Sequence, residues 1–597
     1  MSGYAVVIRR PTVNVAPEEL HALLPAMRQR GPHGDSVVTQ GAFGAASTLL
    51  DVGDPRLVPA WTSTGTLIVA GHVRVDARAT LVQALRQAGA DASEDDSDIQ
   101  LFALAWSRWS DHALERMLGD FSAAIYDRES HVTTLVRDPF GVRMLFYHAA
   151  PDRLVASNTL AAVLGAGVSR ELDEDAIADF IAEGLNEDPS TTTFRAVRRV
   201  PAAHWLRIHP DGRQELRRYW ELPIVAIDRS RPHDTIVAEF RALLDASVRD
   251  RIRAPRVTVF MSGGLDSPTL AAIAARALGD PALVIACTAH LPILVPTEDT
   301  ERARMAAATI GVSHVVTDVE QYGYREGTAY SLPSTPEPCD ELDLLAVFAQ
   351  LRLASSYAPV AFWGEDPDAV LAPPHLGELL RGSALPRLVL DIFSYWWRQR
   401  ARPHLQIRDL LRALLRRLST PDERSAGPAW LRADLRERRA ERVRARREPV
   451  HPTRGEVARR LDQIYWQPFL ELLDAGFHGI PIDVRLPYLD LRVIGFALAA
   501  PPIPWMQRKF LLREAARGLI PESVRLAPKR GLPGLYDARL AQWWSRNPAP
   551  FVPSDALAQF VDVRGIPKLR RSSSTAEALM HLRLRVLDRW LGARGEP

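Results

Sequence analysis

Through the first two hundred residues the apolar positions come in short, strand-sized runs at 4–8, 67–70, 122–126, 132–136, 144–147 and 204–208, with turns and short helical stretches between them. Runs of that length, interrupted that often, predict an α+β domain built on stacked antiparallel sheets. Beyond residue 233 the rhythm changes. Residues 233–251 carry apolar positions at helical spacing, and after a short strand around Val257 and Val259 the chain alternates helical runs (269–278, 300–310) with strand runs (282–288, 314–318). Such alternation predicts a parallel sheet whose ligands sit at the carboxyl ends of its strands. The expected division is 1–222 and 234–597, with 223–233 as the linker.

Composition changes this picture mostly by exclusion. The chain has 597 residues, 47% hydrophobic and 24% charged, which is ample for two cores. A formal net charge of +2 gives no reason to expect a nucleic-acid partner. The apolar stretch 493–506 is broken by Pro501, Pro502 and Pro504, well short of the ~18–20 residues of a membrane span. The N-terminal apolar run is too short for a signal peptide and lacks a basic segment before it. Cys287 and Cys339 are the only cysteines, which argues against a disulfide framework or a cysteine metal site. A cytoplasmic protein without a membrane span is expected.

The strand at 257–260 runs into Phe260-Met261-Ser262-Gly263-Gly264-Leu265-Asp266-Ser267-Pro268. Gly263 and Gly264 lack a Cβ, so backbone N–H groups can close around an anion, and the helix beyond them aims its positive end at the same spot. Ser262 and Ser267 add hydroxyl donors, and Asp266 supplies the hard oxygen that a phosphate-bridging Mg²⁺ takes. Five fixed residues of this kind coincide by chance in about one chain in a thousand of this length. The loop is not that of the phosphate-transferring NTPases, which requires Gly-Lys. Lys509, Lys529 and Lys568 are the only lysines, and none follows a glycine. In a chain that writes its positive charge as arginine, a retained lysine points to a need for a compact ammonium. An acidic turn at Glu365-Asp366-Pro367-Asp368 reads by itself as a solvated turn. The arginine-rich stretch 431–460 reads as a solvated helix laced with i,i+4 ion pairs, or as a basic surface for an acidic partner.

Ser262-Gly263-Gly264-Leu265-Asp266-Ser267 resembles the pyrophosphate loop of the ATP pyrophosphatases. Arg30-Gly31-Pro32-His33-Gly34-Asp35, Ser97-Asp98, Gly119-Asp120-Phe121 and Arg137-Asp138-Pro139-Phe140-Gly141-Val142-Arg143 resemble the glutaminase domain of the asparagine synthetase superfamily. Val484-Arg485-Leu486-Pro487-Tyr488-Leu489-Asp490, Lys509-Phe510-Leu511-Leu512-Arg513 and Pro528-Lys529-Arg530-Gly531 continue the likeness into its synthetase domain. The resemblance implies an N-terminal-nucleophile-hydrolase fold for the α+β domain. For the α/β parallel-sheet domain it implies an ATP-pyrophosphatase fold of the adenine nucleotide alpha hydrolase type. It also implies ATP and Mg²⁺, with the nucleotide against Phe260, Ser262, Gly263, Gly264, Asp266, Ser267 and Gly364. Asp266 and Asp368 would hold the metal, Lys529 would be the catalytic lysine, and Glu365 an acid/base beside the reacting carboxylate. The Gly-Glu-x-x-Asp turn is degraded here, since Asp366 and Pro367 replace two glycines.

In the first domain the family's cysteine nucleophile is replaced by Ser2, and its Val-Asn-Gly-Glu phrase by Val69-Ala70-Gly71-His72, without the side-chain donor to the oxyanion. Losing one such donor costs about 10²–10³ in rate, so an inactive glutaminase is expected. With such a domain, the length and the helix ending Leu587-Asp588-Arg589-Trp590-Leu591, the chain looks most like a lasso peptide cyclase. That enzyme joins an Asp or Glu side chain of a precursor peptide to the peptide's N-terminal amine, with a leader-binding protein and a leader peptidase as partners. A β-lactam-type synthetase, an ammonia-using asparagine synthetase and a dead scaffold remain as alternatives.

Overall fold

The computed structural model describes residues 2–9, 13–290, 298–322, 334–340, 344–364, 367–382, 384–400, 403, 405, 426–446, 451–528, 551–568 and 574–593. Its first part is a sandwich of two six-stranded antiparallel sheets. One sheet holds β1 (Gly3–Arg9), β2 (Asp35–Gln40), β3 (Phe43–Thr48), β8 (Phe146–Ala149), β9 (Arg153–Ser157) and β10 (Arg198–Arg199) in the order β10-β8-β9-β1-β3-β2. The other runs β12-β11-β7-β6-β5-β4, from β4 (Trp61–Thr64), β5 (Leu67–Val75), β6 (Gly119–Asp127), β7 (Thr133–Arg137), β11 (His204–Ile208) and β12 (Gln214–Arg218). Tyr4, Val6, Ile8 and Phe43 of one sheet meet Ile68, Ala124 and Leu135 of the other in a buried apolar interior. Ala5 and Val7, on the alternate face of β1, pack into a second core outside the sandwich. Burial on both faces is why β1 reads as an unbroken apolar run.

β5 extends five residues past the apolar run 67–70, through Gly71-His72-Val73-Arg74-Val75. His72 and Arg74 hide the strand from a hydrophobic pattern. Arg74 is fully buried and neutralised by Asp76 and Asp120. β12 goes unread for the opposite reason, being an exposed polar edge, Gln214-Glu215-Leu216-Arg217-Arg218.

The second part is a five-stranded sheet in which every pair is parallel, ordered β15-β14-β13-β16-β17. The strands are β13 (Val257–Phe260), β14 (Val284–His290), β15 (Ser313–Asp318), β16 (Val360–Phe362) and β17 (Asp483–Arg485). The helices that frame the site and the domain boundary are α1 (Glu174–Glu183) of the first part, then α2 (His233–Ile252), α3 (Asp266–Leu278), α4 (Glu298–Ile310), α5 (Pro367–Val370), α6 (Ala433–Ala445), α7 (Gly455–Arg460) and α8 (Gln463–Leu472). β13 is first in sequence yet central, with β14 on one side and β16 on the other. The loops leaving β13 and β16 therefore diverge and open a crevice at the carboxyl edge, where ligands bind in sheets of this type. Among the described residues no helix is long and apolar enough to cross a membrane.

A dense ionic seam joins the two parts. Arg30 reaches Asp474 through both terminal nitrogens at 2.5 and 2.7 Å. Arg143 meets Asp483 at 2.8 Å, and Arg199 grips Glu337 and Glu471. The arginine-rich helix α6 keeps a solvated face with the expected i,i+4 pair Arg438–Asp434 at 3.1 Å, but its other face is not a vacant basic surface. Arg438 pairs with Glu174 and Asp175, Arg442 with Asp179, and Arg439 with Asp179 and Glu187, so its acidic partner is α1 and the loop after it in the same chain.

Candidate active site

The end of β13 is pinned before it turns. Met261 N–H donates to the Cys287 carbonyl at 2.9 Å, and the Thr288 hydroxyl donates to the Met261 carbonyl at 2.8 Å. The next residues form a closed loop: Ser262 N–H donates to Ser267 Oγ at 2.9 Å, and Gly264 N–H to Ser262 Oγ at 3.3 Å. Gly263 is needed for close approach. A Cβ there would run into the backbone of Asp299 at the start of α4, whose Arg302 donates to the Gly263 carbonyl at 3.2 Å.

Gly364 follows β16, and a Cβ on it would come 3.2 Å from Ser267 Cα, so the second loop is packed on the first turn of α3. That contact places Asp368, in the short helix α5, across from Asp266 at the start of α3. Between the two carboxylates lies the ammonium of Lys509, 2.5 Å from Asp266 Oδ2 and 2.9 Å from Asp368 Oδ1. The three side chains are 13–33% exposed, enough for a ligand to reach them. Lys509 is delivered on strained backbone. Arg508 (φ +50°) and Lys509 (φ +55°) are consecutive non-glycine residues in the left-handed region, a conformation that costs about 1 kcal/mol or more per residue. Tyr488 Oη donates to the Asp266 carbonyl at 2.9 Å and holds the first turn of α3 from below. Burial pulls the Arg513 guanidinium below its ordinary pKa, and the nearby Asp266 opposes that shift.

Of the residues expected from sequence, Ser262, Gly263, Gly264, Asp266, Ser267, Gly364 and Asp368 come together here, and Phe260 ends the strand beneath with its ring 4.9 Å from Trp363. Asp368 lies on a short helix and not in an open loop. Glu365 and Lys529 lie outside the described residues. The member that the pattern underweighted is Lys509; its signal was its identity as one of three lysines among 74 cationic side chains. Tyr488 and Trp363 carried no signal, because an aromatic residue in an apolar run reads as core.

The donor set fits Mg²⁺ with a nucleotide. Two hard-oxygen ligands already converge on one positive centre, beside a helix N-terminus and two serine hydroxyls. No cluster of three or more His, Cys, Asp or Glu suited to a metal occurs among the described residues. A pair of carboxylates would share the ion with phosphate oxygens, the usual arrangement for Mg²⁺.

Comparison with known proteins agrees with this geometry. The family model described as a glutamine amidotransferase domain matches residues 1–220, and the asparagine synthase model matches residues 239–552. The chain is 27% identical over 184 residues to glutamine-hydrolyzing asparagine synthetase 3 of Bacillus subtilis, covering 30% of each protein. It is 25% identical over 495 residues to a putative glutamine-hydrolyzing asparagine synthetase of Mycobacterium tuberculosis, covering 73% of this chain and 70% of that one. The match thus spans under a third of the Bacillus relative's length. Among solved structures, a glutamine phosphoribosylpyrophosphate amidotransferase of B. subtilis covers 56% of this chain and 69% of its own at 16% identity, with a TM-score of 0.28 that supports no conclusion.

Proposed function

The chain belongs to the asparagine synthase family, and from that premise we propose that it is an AMP-forming, ATP-dependent ligase that closes a macrolactam in a precursor peptide, as a lasso peptide cyclase does. The observation that carries the ligase reading is the meeting of Asp266 and Asp368 on one cation, at the carboxyl edge of β13 and β16. In the proposed reaction an Asp or Glu side chain of the peptide attacks the α-phosphorus of ATP, giving the acyl-adenylate and pyrophosphate. The peptide's N-terminal amine then attacks the acyl carbon, AMP departs, and the amine sheds one proton. Asp266 and Asp368 would hold Mg²⁺, which would supply charge neutralisation for the triphosphate. The loop N–H groups and the Ser262 and Ser267 hydroxyls orient the departing pyrophosphate, and Lys509 follows the charge as it moves. Lys529 is proposed as the fixed ammonium that stabilises the oxyanion, and Glu365 as the acceptor of the amine's proton.

The first domain favours an amine from the substrate over ammonia from glutamine. Ala70 offers no side-chain donor, and the Ser2 hydroxyl is occupied as acceptor for Leu50 N–H at 3.1 Å. Arg30 is 2% exposed and spent on Asp474. Burial, and then the Arg143 charge, lowers the His72 imidazole well below its ordinary pKa. A second reading, an ammonia-using asparagine synthetase, is favoured by the names of the relatives. Single turnover separates the two. The cyclase predicts AMP release with loss of one water from a peptide bearing an Asp or Glu and a free N-terminus. Asparagine formed from aspartate and ammonia at a comparable rate, with no peptide product, would overturn it.

A further inference from the structure

A cavity of about 730 Å³ opens between the two domains, away from the nucleotide loop. Phe140, Trp220 and Leu222 line it from the first domain and the segment leaving it, and Leu461, Ile464 and Trp466 from the second. Its size lies within the about 300–1,000 Å³ typical of ligand pockets.

The chemistry of the wall narrows the occupant. Phe140 and Trp220 meet edge to face at 5.1 Å, a rigid aromatic wall from the first domain. Most of the charged residues around it are paired with one another, and Asp188 accepts from the Ser190 N–H and hydroxyl at 2.8 and 2.7 Å. Arg442 is paired with Asp179 at 2.9 Å, Arg446 with Glu187 at 3.3 Å and with Asp462 at 3.7 Å, and Arg218 with Glu221 at 3.5 Å. A charged ligand would compete with these pairs, whereas an uncharged apolar one covers the aromatic surface and leaves the pairs intact.

The cavity is also tied to the candidate active site by two routes. Trp466 packs on Phe469 (5.3 Å between ring centroids), Phe469 on Trp363 (6.0 Å), and Trp363 on Phe260 (4.9 Å). This row of rings ends on the two strands whose loops carry Asp266 and Asp368. Separately, Trp466 Nε1 donates to the Arg460 carbonyl, and the Arg460 guanidinium donates to the Asp368 carbonyl at 3.3 Å. A chain lying in the cavity thus has three ring contacts between it and the reacting centre. A free amino acid in the crevice would not extend into the cavity.

We propose that this interdomain cavity cradles an apolar, aromatic-bearing segment of the peptide substrate, and that the first domain is one of its two walls. The proposal rests on the reading of the substrate as a peptide. It gives the first domain a task that does not depend on glutamine chemistry.

The test uses the full-length chain and the blocked tripeptide acetyl-Phe-Leu-Phe-amide, with acetyl-Asp-Ser-Lys-amide as the charged control, by titration calorimetry. The uncharged peptide should bind saturably and the control should not. Trp220→Ala and Trp466→Ala, cutting opposite walls, should each weaken binding by about tenfold or more. Two variants guard against one that fails to fold, which far-UV circular dichroism would reveal. Equal binding of both peptides, no binding of the aromatic one, or binding unchanged in both folded variants would overturn the proposal. Failure of the ligase reading looks different: no peptide carboxylate supports ATP–pyrophosphate exchange, although the tripeptide still binds and both substitutions still weaken it.

Discussion

Two regions of the molecule bring arginine or lysine against aspartate, and they do so in opposite ways. In the seam between the domains, Arg30 and Asp474 are each 2% exposed and joined by two parallel hydrogen bonds. In the crevice, Lys509 has a single ammonium shared between Asp266 and Asp368, on strained backbone and within reach of solvent. Removing water from a charge pair is costly, so a sealed pair is stable only while both partners stay in place. A partly exposed cluster held by one monocation can trade that cation for another. The same residue types therefore act as mortar in one region and as a receptor in the other, and exposure with hydrogen-bond saturation tells them apart.

The largest expected effect lies in the crevice. Asp368→Asn or Asp266→Asn should reduce ATP–pyrophosphate exchange by about 10²-fold or more, because one anionic oxygen fewer leaves cation and triphosphate misaligned. The melting temperature should barely change. Exchange at the parent rate under limiting Mg²⁺ would show that the second carboxylate belongs to the mortar.

Asp474→Ala should do the reverse. It strands a buried guanidinium, a change that costs about 3–5 kcal/mol, so denaturant melts should shift strongly. A variant as stable as the parent would break the comparison from the seam's side.

A third group sharpens it. Glu378 is 2% exposed, lies 2.8 Å from His375, and has a second carboxyl, Glu456, close by. Burial, then Glu456, pushes its pKa up from 4.5 to about 7. A carboxyl raised in the folded state keeps a proton that the unfolded chain has released. Its contribution to stability therefore falls as pH rises through the window from about 4.5 to 7, and the loss is complete above that. Thermal melts at about pH 5 and about pH 8 should show a smaller difference for Glu378→Gln than for the parent. Identical differences would mean that the carboxyl is ionised throughout.

The smallest effect is expected at the start of the chain. Purified protein should release no glutamate from glutamine, and Ser2→Ala should change nothing measurable. Glutamate above background, abolished by that substitution, would return the first domain to catalysis.

Much of the crevice was legible because its chemistry is local: Ser262 to Ser267 are consecutive, and their glycines and acid sit where a phosphate loop needs them. Asp368 was legible only through resemblance, since an isolated acidic turn has no pattern of its own. The seam was not legible at all. Arg30 and Asp474 are 444 positions apart, and nothing along the chain marks them as partners. The arginines of α6 invited two readings, and only the packing of α6 on α1 supplied a third. The cavity was hidden for the same reason, because Trp220 and Trp466 come together only when the domains do.

The seam also bears on descent. A gene that lost its first domain would strip Asp474, Asp483 and Glu471 of their arginine partners and bare the apolar core that the two domains share, so deletion would cost stability before any question of activity arose. The first domain is in this way locked into the lineage by the surface it shares with the second, whatever chemistry it keeps. Once retained, it stands free to be shaped toward other work by every later substitution on its inner wall.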